Sequence, residues 1–98
     1  MTNLILSIGL NDKDTKKQEV DTLTAINTIA DVIGDCSIVN GMGVFTHADG
    51  TRVIEPCLIV TAFNKTIAES TCDIKKLNML LNQECIACQE DNREAVFI

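Results

Sequence analysis

An apolar side chain recurs every three or four residues between positions 20 and 33, and this pattern constrains the fold most. Such spacing places the apolar side chains on one face of an α-helix. Thr15 with Gln18 three residues later is a capping-box pattern that predicts the helix start, with Asp14 as an alternative cap. Gly34 stands where a helix ends in a left-handed residue. The helix must therefore bury one face against the rest of the chain.

Apolar runs bounded by polar residues predict the strands that supply this surface. They cover residues 3–10, 37–47, 51–63 and 84–89, with residues 95–98 as a short fifth strand. Thr66 and Glu69 form a second capping-box pattern, which predicts a second helix with an apolar face up to Leu81. The order β-α-β-β-α-β predicts an α+β, ferredoxin-like fold, in which two helices cover one face of an antiparallel sheet. A chain of 98 residues supports a single domain, residues 1–98.

The two middle strands are predicted to form a hairpin. Asp49-Gly50 suits the positive φ angles of a tight turn between them. Pro56 lacks an N–H, so we expect the second strand to be bulged or unpaired there. Gly41 and Gly43 interrupt the first strand and indicate a bulge or a close approach by another backbone.

The charge balance argues against nucleic acid as a partner. The chain has 14 acidic and 8 basic residues, a net charge of −6, and its aromatic residues are three Phe. An acidic surface repels phosphate backbones, and base-stacking platforms are scarce. A DNA mimic would need denser acidic charge. No apolar run is long enough to span a bilayer, so no membrane partner is expected.

Five cysteines in a chain with no secretory pattern predict free thiols in a reducing, cytoplasmic compartment. If a phage encodes the protein, this is the host cytoplasm. Cys85 and Cys88 have metal-ligand spacing, but they lie in a predicted strand, where residues three apart point to opposite faces. We therefore expect structural thiols, no metal site and no cofactor.

Five residues are candidates for binding contacts. They are His47, Asp49, Arg52, Glu55 and Arg93. The histidine adjoins the predicted turn, with an acid and an arginine close by, and arginine is suited to anchoring an anion or a partner carboxylate. No catalytic residue is expected, because the sequence offers no recognisable pair of nucleophile and base.

Several short motifs carry a resemblance to a known group of proteins. They are Ser7-Ile8-Gly9-Leu10, the strand with Gly41 and Gly43, Glu55 before an apolar strand, and Leu81-Asn82-Gln83-Glu84. Over roughly residues 4–88 the pattern resembles uncharacterised small ferredoxin-like proteins of bacteria and bacteriophages. The resemblance implies a phage accessory protein of the anti-defence type, which acts on a host protein or sequesters a small nucleotide ligand.

We therefore predict a non-catalytic binding protein, a phage-type inhibitor of a bacterial defence factor, similar to an anti-CRISPR or a nucleotide-sequestering protein. The alternative is a small ligand-binding protein or enzyme with a pocket shared between subunits, built from His47, Arg52 and Glu55. A third interpretation is an oligomeric scaffold without a ligand. A homo-oligomer, most simply a dimer, is expected, because open sheet edges and the apolar residues 95–98 would otherwise face water.

Overall fold

A computed structural model describes residues 2–46, 49–91 and 93–98. Within these residues the chain forms five strands and two helices. In chain order they are β1 (Leu4–Gly9), α1 (Thr22–Ile33), β2 (Cys36–Thr46), β3 (Arg52–Ala62), α2 (Ile67–Leu80), β4 (Ala87–Glu90) and β5 (Val96–Phe97). The strands form one antiparallel sheet in the order β2-β3-β1-β4-β5. The predicted α+β, ferredoxin-like fold is confirmed, including its short last strand.

The core lies between the two helices and one face of the sheet. Alternate residues of β1 and β3 point into it and are fully buried, namely Leu4, Leu6, Ile8, Leu58, Val60 and Ala62. Opposite them lie Ala25, Ile29 and Ile33 of α1 and Ile74 and Leu77 of α2. We call this side of the sheet the helix-covered face and the other side the open face. No helix within the described ranges is long and apolar enough to cross a membrane.

Helix α1 begins later than its sequence predicts. Its N-cap is Asp21, whose side chain accepts a hydrogen bond of 3.0 Å from the Thr24 N–H. The predicted start at Thr15 and Gln18 is wrong, because Lys16 has a φ of 63° and interrupts any helix there. Residues 11–20 instead form an irregular connection, which we call the β1–α1 segment.

The other helix boundaries follow the sequence. Gly34 ends α1 with a φ of 87°, and its N–H donates to the Ala30 carbonyl at 2.9 Å. The capping box of α2 is present: the Thr66 N–H donates to Glu69 Oε1 at 2.7 Å, and the Glu69 N–H donates to Thr66 Oγ1 at 3.2 Å. Local capping chemistry is therefore sufficient to set these boundaries.

Strands β2 and β3 pair in continuous register over 11 residues each, so the predicted bulges are wrong. The Pro56 carbonyl accepts from the Leu10 N–H at 2.9 Å. Because both backbone groups of a residue point the same way in an antiparallel ladder, the missing N–H of Pro56 faces away from β2. Gly43 makes room for the ring of Phe45 on the same strand rather than for another backbone.

The hairpin is longer than the strand beside it. The β1–β3 ladder ends at Gly9 and Cys57, whereas β3 continues to Arg52 at the hairpin end. Residues 42–46 and 52–56 therefore extend beyond the end of β1. This projecting part of the hairpin forms one wall of a cavity.

The fourth strand begins three residues later than the predicted 84–89. It starts at Ala87, so Glu84 and Cys85 belong to the connection from α2. Ile86 precedes the strand and is fully buried, and its backbone exchanges hydrogen bonds of 2.7 and 3.0 Å with Ile98. The connection therefore brings polar residues to the edge of the sheet at which β1 ends.

The hairpin turn provides a test of the fold. Gly50 has a φ of 88°, which a β-branched residue adopts only with strain. Gly50→Val is expected to lower the free energy of unfolding by about 1 kcal/mol or more, measured by urea denaturation. Thr51→Val is the matched control, since it places the same side chain at the next, exposed position, and it should change stability little. Equal stability of Gly50→Val and the unaltered protein would contradict this account of the turn.

Candidate functional site

A cavity of about 770 Å³ opens on the open face of the sheet, at the end where the hairpin projects. Its floor is one row of the sheet, in which Ser7, Ala87 and Phe97 are cross-strand neighbours. Phe45 and Val53 of the hairpin form an apolar wall. A volume of this size and a largely apolar lining are typical of small-molecule sites.

Glu55 is the buried acid of this cavity. Its side chain is only 9% exposed, although it lies on the open face. The carboxylate occupies the space that a side chain at Gly9 would fill, and a methyl group there would overlap it. The Gln83 amide oxygen lies 3.1 Å from the same point, so both polar groups meet over Gly9. Burial, and secondarily the carboxylate of Glu55, raises the pKa of the neighbouring Cys57 thiol.

Hydrogen bonds hold the β1–α1 segment at the cavity. The Asn82 side chain donates to Asp12 Oδ2 at 2.9 Å, and the Lys13 N–H donates to the Asn82 carbonyl at 3.0 Å. Gln83, 8% exposed, donates to the Asn11 carbonyl at 2.8 Å. The bond from Asn82, followed by bonds from two backbone N–H groups, lowers the pKa of Asp12. The β1–α1 segment and the connection from α2 to β4 are thus hydrogen-bonded to each other, and charged residues of both line the cavity.

The lining carries both signs of charge with an acidic excess. Its carboxylates belong to Asp12, Asp49, Glu55 and Glu84, and its ammonium groups to Lys13 and Lys16. The remaining surface includes Val44 and the two phenylalanines named above. A small ligand with positive charge and an aromatic or apolar part would fit this combination.

The cysteines of the Cys85–Cys88 pair point apart. Cys88 is fully buried in the core, whereas Cys85 is exposed and lines the cavity. Burial raises the pKa of both thiols, that of Cys88 to about 11, so both are protonated at neutral pH. Among the residues that the structure describes, no three His, Cys, Asp or Glu side chains lie close enough to hold a metal ion.

The structure brings together two of the five sequence-predicted contact residues. Asp49 and Glu55 both line the cavity. Arg52 lies on β3 three positions from Glu55, and an odd spacing along a strand places it on the opposite face. Arg93 is 82% exposed and forms an ion pair of 3.8 Å with Glu90, away from the cavity. His47 lies outside the described residues.

Sequence reasoning missed the residues contributed by the two connections. Lys13, Lys16, Gln83 and Glu84 follow β1 or precede β4 in sequence. Since these strands are antiparallel neighbours, the end of one meets the beginning of the other at one edge of the sheet. The predicted order of elements implies that these two connections meet. They were not predicted as site residues because residues 15–20 were assigned to the first helix.

Two solved structures resemble this fold. One is a phage SAM lyase in complex with S-methyl-5'-thioadenosine, with a TM-score of 0.67, 18% sequence identity, and coverage of 99% of this chain and 88% of that chain. The other is a phage SAM lyase in the apo state, with a TM-score of 0.57, 18% identity, and coverage of 99% and 87%. No protein-family model and no curated protein sequence matches the chain. At this identity the likeness shows the fold.

These neighbours contradict the prediction of a non-catalytic inhibitor. Both are structures of an enzyme, and one holds a small nucleoside, so the alternative of a small ligand-binding protein or enzyme fits better. The prediction failed because it relied on the lack of a nucleophile–base pair in the sequence. The resemblance to small phage proteins agrees with the phage source of both neighbours.

Gly9→Ala tests the contact on which the cavity depends. The added methyl group overlaps the Glu55 carboxylate, so the variant is expected to lower the free energy of unfolding by about 1–3 kcal/mol. Gly41→Ala is the matched control, because Gly41 and Gly9 are both cross-strand partners of Cys57. A methyl group at Gly41 would meet its nearest atom at an ordinary 3.6 Å. Equal effects of the two variants in urea denaturation would contradict the assigned contact.

The lowered pKa of Asp12 gives the β1–α1 segment a pH dependence. Because the folded pKa lies below the ordinary 3.8, the carboxylate stabilises the fold above about pH 4, and this contribution is lost as the pH falls through the folded pKa. Asp12→Asn is therefore expected to reduce stability more at pH 6 than at pH 3, measured by urea denaturation at each pH. A reduction of the same size at both values would show that the charge of Asp12 has no such role.

Proposed function

We propose that this protein cleaves S-adenosylmethionine (SAM) and releases S-methyl-5'-thioadenosine. The observation that carries the proposal is the buried Glu55 carboxylate, placed over Gly9 in an apolar-walled cavity of about 770 Å³. Its support is the fold shared with a phage SAM lyase that binds S-methyl-5'-thioadenosine. The proposal replaces the predicted inhibitor and its host-protein partner with an enzyme and a small-molecule substrate.

The charge of the cavity suits a sulfonium substrate. SAM carries a positive sulfur, a positive ammonium and a negative carboxylate, and the cavity lining has four carboxylates and two ammonium groups. A carboxylate in a site shielded from water interacts with a cation more strongly than one at the surface. Glu55 is the shielded acid, and we assign it the role of holding the positive end of the substrate.

The apolar wall suits the nucleoside. Phe45 and Phe97 line the cavity together with Val53, and aromatic rings stack on purine bases. The Phe45 ring is held over Gly43, where any side chain would displace it. The hairpin therefore offers a fixed aromatic surface for the adenine.

The reaction needs only the atoms of the substrate. The bond between sulfur and the γ-carbon of the methionine part breaks, and its electron pair stays on sulfur as the neutral thioether leaves. The remaining four-carbon fragment is completed in one of two ways. Its own carboxylate oxygen attacks the γ-carbon and closes a lactone, or a base removes a β-proton and leaves a double bond. The lactone and the alkene are isomers of equal mass, so proton NMR of the products, in which only the alkene gives vinyl signals, distinguishes the two courses.

Glu55→Gln tests the proposed function. The amide keeps the shape of the side chain but removes its charge, so we expect release of S-methyl-5'-thioadenosine from SAM to fall about 100-fold, as for loss of one preorganised electrostatic group. Glu94→Gln is the control, because Glu94 is exposed and does not line the cavity. Release of the product is followed by liquid chromatography with mass spectrometry. Full activity of Glu55→Gln, or no release by the unaltered protein, would refute the proposal.

Other expectations are kept as parts of this proposal. Cleaving SAM in the host cytoplasm would remove the methyl donor of host enzymes. We propose that the anti-defence role takes this form.

Exposed apolar side chains support self-association. Met42, Val44 and Ile54 form a strip on the projecting hairpin that is 60–63% exposed, and Phe97 is 64% exposed. Light scattering would measure the mass of the assembly against that of a 10.7 kDa chain.

A further inference from the structure

The two lysines of the cavity are held close together by the β1–α1 segment. Lys13 and Lys16 both line the cavity, and Lys16 Nζ donates a hydrogen bond of 2.6 Å to the Lys13 carbonyl. An ammonium group has three donors, so this bond leaves two for another acceptor. The Lys13 backbone is itself fixed through its N–H to the Asn82 carbonyl.

Neither lysine forms a close ion pair with an acid that the structure describes, although the charge of Lys13 contributes to the lowered pKa of Asp12. In the part of the chain that the structure describes, the one ion pair within 4.0 Å is Arg93 with Glu90. The nearest acid in sequence, Asp12, accepts instead from Asn82 and from the N–H groups of two following residues. The β1–α1 segment therefore brings two ammonium groups to the cavity beside the Asp12 carboxylate, and the carboxylates of Asp49 and Glu55 lie on the hairpin side.

The backbone at Lys16 is unfavourable for a lysine. Its φ of 63° lies in the left-handed region, which Gly and Asn adopt at lower cost. The hydrogen bonds of Asp12 and Asn82 stabilise the segment in spite of this strain. Strain that the surroundings maintain at the edge of a cavity is typical of residues that contact a ligand.

We propose that Lys13 and Lys16 bind the carboxylate of an α-amino acid, so that the ligand class of the cavity is a nucleoside thioether or sulfonium with an amino-acid tail. This inference rests on the proposed function for the identity of the nucleoside. The carboxylate lies at the β1–α1 segment, and the positive ammonium and sulfur lie toward Glu55 and Asp49 of the hairpin. The opposed charges of the cavity thereby orient a zwitterionic tail in one direction.

The experiment compares two ligands that differ in the tail. S-adenosylhomocysteine has the amino-acid tail but no sulfonium to cleave, and S-methyl-5'-thioadenosine lacks the tail. Their dissociation constants are measured by isothermal titration calorimetry for the unaltered protein and for the double variant Lys13→Met/Lys16→Met. Lys17→Met is the control, because this lysine is also exposed on the segment but does not line the cavity.

The expected result is a loss of affinity for S-adenosylhomocysteine of at least ~10-fold in the double variant, with the affinity for S-methyl-5'-thioadenosine unchanged within about 2-fold. The control should leave both constants unchanged. Equal losses for the two ligands, or an unchanged constant for S-adenosylhomocysteine, would overturn the assignment of the lysines. SAM cleavage by the unaltered protein would then still support the proposed function. The tail-specific loss without any cleavage would support the carboxylate site and refute the lyase.

Discussion

The packing of the Glu55 carboxylate over Gly9 is the contact on which the rest of the site depends. An acid in the middle of an antiparallel sheet normally points to water, where its charge is solvated. Here Gly9, at the end of β1, has no side chain, so the Glu55 carboxylate packs over it and becomes buried on an otherwise open face. The Gln83 amide oxygen closes the same space from the other side. The contact therefore places a carboxylate inside the cavity rather than in bulk water.

Unequal strand lengths turn this contact into a cavity. β1 has 6 residues and β2 and β3 have 11 each, so the hairpin continues past Gly9 without a partner strand. The two connections next to β1 form the opposite side, and hydrogen bonds through Asn82 and Gln83 hold them to each other. The cavity thus follows from the order and the unequal lengths of the strands, without an additional segment inserted into the fold.

The fold could be predicted from sequence because local signals and topology agree. The capping box at Thr66, the glycine after α1 and the alternation of apolar residues each point to the same order of elements. The site could be predicted only in part. Glu55 was predicted to be a contact residue, but Gln83 was noted only within the motif Leu81-Asn82-Gln83-Glu84, and Lys16 was not singled out. The role of Gln83 arises from its contact with Asn11, 72 residues away. The misplaced helix start had a specific cause: the Thr15–Gln18 capping-box pattern lies where Lys16 has a positive φ, and the side chain that caps the helix is that of Asp21.

The prediction of an inhibitor was wrong because it treated the lack of a nucleophile–base pair or a metal site as evidence against an enzyme. A nucleophile, a base or a metal set is needed when the enzyme must activate an inert bond. A sulfonium ion already contains a good leaving group, and a cleavage that uses the substrate's own carboxylate or one base makes few demands on the protein. What such a reaction requires is orientation and a charge environment, and under the proposed function a buried acid, two lysines and an aromatic wall would supply them. A sequence without a recognisable catalytic motif is therefore compatible with an enzyme whose substrate carries the reactive group.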